Sequence, residues 1–115
     1  MQATEIARGE WKPLFDRLRR DHTGQPVSIE TSCWETCSIY QRARGVPLRE
    51  LRIERSDQPR ETVIALTVGE SQENAITHTI ARPSHVRLEP AERGPDTLRI
   101  ESEDGIVTTV LFHIT

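Results

Sequence analysis

Two cysteines lie four residues apart, at Cys33 and Cys37, and their spacing raises the question of redox or metal chemistry. On one straight strand, four residues would separate the two thiols by about 13 Å, which is too far for a disulfide. They could meet only if the residues between them form a turn. Structural zinc takes four ligands, and the chain has no second cysteine pair. We therefore expect two ordinary reduced thiols that hold no metal.

Histidine is the other residue type that could bind a ligand or carry a proton. The chain has four histidines, at His22, His78, His85 and His113. His78 and His85 are seven positions apart, and an odd separation puts side chains on opposite faces of a straight strand. They could share a metal only if Pro83 bends the strand between them. His78 lies between Ile76 and Ile80, on the alternate positions of the strand whose side chains are expected to face inward. This position predicts a half-buried imidazole that is hydrogen-bonded to a neighbour. The alternative is that His78 serves as a functional ligand.

Trp34 lies between the two cysteines in a predicted turn, where an indole ring would be exposed unless it packs on something. It either covers one end of the core or anchors an interface, since Trp is enriched at binding hot spots. We predict a candidate interaction surface made of Trp34, His78, Thr79 and His85.

Known catalytic signatures are missing from the sequence. It contains no G-x-S-x-G elbow, no phosphate-binding glycine loop and no H-E-x-x-H motif. The acidic residues Glu101, Glu103 and Asp104 cluster beside a predicted turn, where carboxylates are commonly solvated. We expect no catalytic residue, no metal and no cofactor, and we rank an enzyme of unrecognised type below a binding protein.

Composition and charge indicate one small domain with a thin core. The chain has 115 residues, of which 35% are hydrophobic, 4% aromatic and 29% charged. Its net charge of −3 argues against nucleic-acid binding, which usually needs a basic surplus. No apolar run is long enough for a membrane helix, and the first residues do not resemble a signal peptide. We therefore expect a cytoplasmic protein without a membrane or nucleic-acid partner.

A helix is predicted over residues 10–22. Its apolar residues recur at i, i+3, i+4 and i+7, as one stripe of a 3.6-residue period. The stripe consists of Trp11, Leu14, Phe15 and Leu18. Pro13 is tolerated because an N–H in the first helical turn has no intrahelical hydrogen-bond partner to lose. Gly24 and Pro26 end the helix.

From residue 26 to residue 114 the pattern changes to short alternating segments separated by turns, which is typical of an antiparallel sheet. We predict a single α+β domain over residues 1–115, with one N-terminal amphipathic helix packed on a bent antiparallel sheet of about six to eight strands. A small Sm-like or SH3-like barrel is the alternative. Asp104 and Gly105 predict a two-residue hairpin loop that places Leu98 opposite Leu111 and Ile100 opposite Thr109.

Residues 75–80 form a predicted seam for self-association. Pro83 marks this region as an edge or a bend, because proline cannot donate to a strand ladder. The segment carries no charge unless His78 is protonated, so little protects its edge from pairing with a second copy. A two-fold homodimer is the expected result. The competing expectation is a closed barrel that leaves no edge and stays monomeric.

The chain resembles the short, uncharacterised bacterial proteins grouped as a domain of unknown function. The resemblance spans nearly the whole chain as an ordered set of features. These are Trp11, Phe15, Gly24, Pro47-Leu48, Thr77-His78-Thr79-Ile80, Pro83, Val86, Leu98-x-Ile100, Asp104-Gly105 and Phe112. It implies one N-terminal helix followed by strands, and it brings no activity, cofactor or catalytic residue. The Cys33–Cys37 stretch is not part of the family pattern.

The sequence thus predicts a non-enzymatic interaction or scaffold protein that self-associates. The alternative function is a small-ligand or metal-binding protein that uses His78 and His85, or Cys33 and Cys37.

Overall fold

The computed structural model describes residues 4–33, 39–55, 62–89 and 96–113. Within these ranges the chain forms one α-helix and eight strands, and a short 3₁₀ turn at Arg8–Glu10 leads into the helix. In chain order the elements are β1 (Thr4–Ile6), α1 (Trp11–His22), β2 (Pro26–Cys33), β3 (Ile39–Arg55), β4 (Thr62–Val68), β5 (Ile76–Ala81), β6 (Pro83–Glu89), β7 (Thr97–Ser102) and β8 (Ile106–Phe112).

The strands pair antiparallel in one open sheet, in the order β1-β6-β7-β8-β2-β3-β4-β5. Among the described strands the two edges are β1 and β5, each with one neighbour, so the sheet is open and not the closed barrel of the alternative expectation. Strands β5 and β6 follow each other in the chain but are far apart in the strand order, which requires a sharp bend. The bend lies at Arg82, whose φ of 50° is uncommon for a residue other than glycine, and Pro83 begins β6.

The helix α1 packs on the sheet with the apolar stripe that its sequence predicts. Its buried side chains are Trp11, Leu14, Phe15 and Leu18. The indole Nε1 of Trp11 donates to the Ile6 carbonyl at 2.9 Å, which ties the helix to β1. The predicted fold class, one helix on a bent antiparallel sheet of six to eight strands, is confirmed. The described helix is also too short and too polar to cross a membrane.

The core is one cluster shared by the helix and the inward face of the sheet. Its fully buried strand residues include Val27, Ile29, Leu48, Leu51, Ile64, Leu66, Leu98, Ile100, Val110 and Phe112. These residues come from β2, β3, β4, β7 and β8, so the core joins the strands on both sides of the bend.

The predicted register of the last hairpin is wrong by one residue. Leu98 pairs with Val110 and Ile100 with Thr108, because the loop has three residues instead of two. Gly105, with a φ of 86°, takes the left-handed position that such a loop needs. A one-residue slip moves every side chain to the other face. The buried residues of β8 are Thr108, Val110 and Phe112, which lie on the same face as Leu98 and Ile100.

Candidate functional site

A cleft of about 320 Å³ opens along the unpaired edge of β5. Its β5 wall is made of four consecutive residues, 78–81. Because neighbouring side chains of a strand point to opposite faces, four consecutive lining residues mean that the strand turns its edge toward the cleft. The opposite walls come from β2, from the start of β3 and from the β7–β8 hairpin. They include Ile29, Thr31, Cys33, Tyr40, Arg42, Asp104 and Ile106.

His78 stands opposite Leu66 on the inward face of β5 and lines the cleft. Burial lowers the pKa of the imidazole below its ordinary value of 6.5, and the nearby Arg42 charge lowers it further. The neutral form of the ring therefore predominates at pH 7. Its Nε2 atom is buried and has no hydrogen-bond partner among the described residues. The predicted half-buried position agrees with the structure, whereas Nε2 does not make the predicted bond to a neighbour.

Arg42 places a fixed positive charge on the opposite wall. Its Nε donates to the Thr31 hydroxyl at 3.0 Å, and its guanidinium lies 5.4 Å from the centre of the Tyr40 ring. Within the described ranges no carboxylate lies at ion-pair distance from it. The cation is thus oriented by a hydroxyl and an aromatic ring, and no acidic side chain of the described residues neutralises its charge.

The unpaired edge of β5 exposes every second main-chain N–H and C=O. Arg82 N donates to the Thr62 carbonyl, so these two residues form a hydrogen-bonded pair of the β4–β5 ladder. Such pairs alternate along an antiparallel ladder, so the main-chain N–H and C=O groups of Ile80 and His78 also point toward β4. The hydroxyls of Thr67 and Thr77 lie 2.8 Å apart, as expected for a pair without main-chain bonds between its members. The outward main-chain groups belong to Thr77, Thr79 and Ala81, whose side chains are exposed.

The structure brings only part of the predicted interaction surface together. Thr79 lies beside His78 on β5, and Cys33 ends β2 with a free thiol in the cleft. His85 is exposed on β6, and its Nδ1 lies 2.6 Å from Glu5 Oε1, so it does not share a site with His78. The described part of the chain contains no group of three side chains suited to a metal. The predictions for Trp34 and Cys37 fall outside the described residues.

Sequence reasoning missed a contact between Ser28 and His113. The Ser28 hydroxyl lies 2.7 Å from His113 Nε2 and accepts from the Gly45 N–H at 3.0 Å. A serine beside a histidine is the arrangement of a nucleophile and its base. Ser28, however, is only 3% exposed, and it satisfies an N–H in an irregular stretch of β3 where Gly45 has a φ of 62°. The contact therefore joins β2, β3 and the chain's last described residue.

No local signal could have revealed that contact, because the two residues lie 85 positions apart. The Arg42–Thr31 bond is equally hidden, since it depends on how β2 pairs with β3.

The fold resembles that of a solved protein, and a family model covers the chain. The crystal structure of the Bacillus subtilis YojF protein matches with a TM-score of 0.58 at 13% identity, over 100% of this chain and 96% of that one. At this identity the likeness concerns the fold alone. No curated protein matches the sequence. The model of a family of unknown function, DUF5335, matches residues 2–114. The chain therefore belongs to the DUF5335 family, as its ordered features predict.

Proposed function

We propose that this protein is a non-enzymatic interaction protein that self-associates through the unpaired edge of β5. The observation that carries the proposal is the edge itself: six residues, with outward main-chain groups and no formally charged side chain at neutral pH. Natural edge strands are usually protected by charged residues, proline or bulges. Nothing of this kind interrupts Ile76–Ala81, and Ile76 is 61% exposed at its start.

The main-chain alternation of β5 defines the register of a two-fold seam. The outward main-chain groups belong to Thr77, Thr79 and Ala81. The β5 strand of a second chain, running antiparallel, therefore pairs best when the two-fold axis passes between the two copies of Thr79. Thr79 then stands opposite its own copy, and Thr77 stands opposite Ala81 of the second chain. Each such pair exchanges two bonds, which gives about six main-chain hydrogen bonds across the seam. The seam has two-fold symmetry, as the commonest oligomers do.

Sedimentation velocity with matched variants tests this proposal. The wild-type protein is expected to approach twice the chain mass of 13.1 kDa as concentration rises tenfold through the micromolar range. Thr79→Lys places like charges opposite each other at the axis and should yield a monomer. Thr79→Val keeps a β-branched residue without charge and should preserve the dimer.

The control uses the other edge of the sheet. Thr4 is an exposed threonine on β1, so Thr4→Lys adds the same charge without touching the seam. It should sediment as wild type, with unchanged far-ultraviolet circular dichroism in all variants. A wild-type monomer at every concentration, or a Thr79→Lys protein that remains dimeric, would overturn the proposal.

A second candidate function, small-ligand binding, is favoured by one observation. His78 Nε2, which lacks a hydrogen-bond partner among the described residues, lies in a side chain that lines the cleft near the Arg42 charge, and no described carboxylate pairs with that arginine. Of the residues that the sequence nominated for ligand binding, His78 and Cys33 line this cleft and His85 does not.

A further inference from the structure

We infer that the cleft beside β5 binds a small organic monocarboxylate, with Arg42 as the charge partner of its carboxylate. The inference rests on the second candidate function and is argued from the geometry of one chain, although residues 78–81 line the cleft and also lie in the proposed seam. Three features of the cleft support the inference: the orientation of the Arg42 guanidinium, the balance of charges among the lining residues, and the apolar side chains that line the cleft.

Arg42 is oriented for a planar anion. Its Nε is occupied by the Thr31 hydroxyl, and its guanidinium is held against the Tyr40 ring. The two terminal nitrogens have no acidic partner among the described side chains. A guanidinium offers paired N–H groups in a plane, which match the two oxygens of a carboxylate. Because the side chain is already positioned, less conformational freedom is lost when a ligand binds.

The charge balance of the cleft selects a single negative charge. Asp104 lines the same cleft, and its Oδ1 accepts from the Ile106 N–H at 3.2 Å within the hairpin turn. With His78 neutral, Arg42 and Asp104 leave the cleft without a surplus of positive charge. A dianion such as a phosphate ester or a dicarboxylate would be repelled by Asp104 with only one cation to offset it. One carboxylate can approach Arg42 alone.

The rest of the ligand is apolar and short. Ile29, Ile80 and Ile106 supply the hydrocarbon surface of the cleft. The volume of about 320 Å³ lies at the lower end of the roughly 300–1,000 Å³ range of ligand sites. A chain or ring of a few carbons fits both the surface and the volume, and a long acyl chain does not.

His78 completes the site from the β5 side. Its Nε2 finds no hydrogen-bond partner among the described residues where the ring now lies, and an unpaired buried polar atom is unfavourable. The torsion that orients a histidine ring is broad, so a modest rotation turns Nε2 toward the cleft that the side chain already lines. There the neutral ring donates its N–H to the carboxylate, while Arg42 contacts the other oxygen.

Titration of the ¹⁵N-labelled protein with hexanoate, followed by amide chemical shifts, tests this inference. Shifts should concentrate at residues 78–81 and at Thr31 and should saturate. Hexanamide keeps the tail and removes the charge, and succinate adds a second charge. Hexanamide is expected to bind roughly tenfold more weakly than hexanoate, because its hydrogen bond to Arg42 is no longer between two charged groups. Succinate should also bind more weakly than hexanoate, because Asp104 repels its second carboxylate.

Matched variants separate this site from a general attraction of anions. Arg42→Gln should weaken hexanoate binding roughly tenfold. Arg44→Gln removes an exposed arginine of the same strand that does not line the cleft, and should leave the affinity unchanged. Equal weakening by both variants, equal affinity for hexanoate and hexanamide, or no saturable shift in the cleft would overturn the inference.

Sedimentation of the hexanoate-titrated wild-type protein distinguishes this inference from the self-association proposal, because Thr79 itself lines the cleft and a lysine there would change hexanoate binding. If wild-type protein at a concentration where it sediments as a monomer shows the saturable shifts, the carboxylate site stands within one chain whether or not the protein dimerises at higher concentration. If no saturable shift appears in the cleft at any protein concentration, the carboxylate site is refuted and the seam is still judged by sedimentation alone.

Discussion

Thr79 pairs with Ala65 of β4 on one side and turns its main-chain N–H and C=O to the unpaired side of β5. The other edge of the sheet differs in character. Strand β1 has three residues, and its Glu5 contacts both His85 and Arg87. A short, charged edge discourages pairing, whereas a longer uncharged edge permits it. This contrast is why the self-association proposal is placed at β5 and not at β1.

Replacing Trp11 by alanine is expected to lower the free energy of unfolding by about 3–5 kcal/mol. The indole is 2% exposed, and its Nε1 donates to the Ile6 carbonyl. Urea titration measures the loss. Trp11→Phe should cost less, because it keeps most of the apolar contact and removes the hydrogen bond. A loss below about 1 kcal/mol for Trp11→Ala would show that the helix is not anchored by this face.

Ser28→Ala should destabilise the protein by about 1–3 kcal/mol, because it removes the buried hydroxyl that accepts from the Gly45 N–H and leaves that N–H without its acceptor. The variant should also alter the environment of His113, which loses its contact with the hydroxyl. Thermal or urea unfolding gives the first quantity, and the histidine ring resonances report the second. Gln72→Ala, at an exposed position in the β4–β5 turn, is a control that should leave stability within about 0.5 kcal/mol. A Ser28→Ala protein as stable as this control would contradict the structural role of the contact.

The position of His78 predicts a pH dependence of stability. Burial and the Arg42 charge keep the pKa of the folded imidazole below 6.5, so the unfolded chain binds its proton first as pH falls. The free energy of unfolding should therefore decrease as pH falls through about 6.5, and this part of the decrease should end below the folded pKa. The other ionisable groups of the cleft are Tyr40 and Arg42 on β3, Cys33 on β2 and Asp104 in the hairpin turn.

Unfolding of wild type and His78→Asn over pH 5–8 isolates this contribution, since the remaining groups are common to both proteins. The wild type should lose more stability than the variant on acidification. In the wild type, an NMR titration should place the His78 pKa below 6.5, and Arg42→Gln should raise it. Parallel pH profiles, together with a His78 pKa at or above 6.5, would contradict the description of the cleft.

The helix and the strand-rich remainder could be predicted from the sequence because both depend on local periodicity. The apolar spacing from Trp11 to Leu18 is sufficient for the helix, and the alternation after residue 26 is sufficient for the strands. The hairpin register could not be predicted in the same way. Asp104 and Gly105 suit a two-residue loop, but the left-handed Gly105 suits a three-residue loop as well.

The candidate site was predictable only in part. His78 and Thr79 were found because they lie on an uncharged strand next to a proline. Arg42 was missed because its importance arises from the β2–β3 pairing, which brings Thr31 within reach of its Nε. The cleft depends on the bend at Arg82, and the sequence pointed instead to the neighbouring Pro83. Contacts between distant segments of the chain were thus beyond local pattern analysis.

Amide hydrogen exchange at β5, measured as a function of protein concentration, tests the self-association claim most directly. The N–H groups of Thr77, Thr79 and Ala81 face the unpaired edge, whereas those of His78 and Ile80 face β4. The proposal predicts that exchange at the first three slows as concentration rises, while exchange at the other two stays slow throughout. Fast exchange at Thr77, Thr79 and Ala81 at every concentration would contradict it.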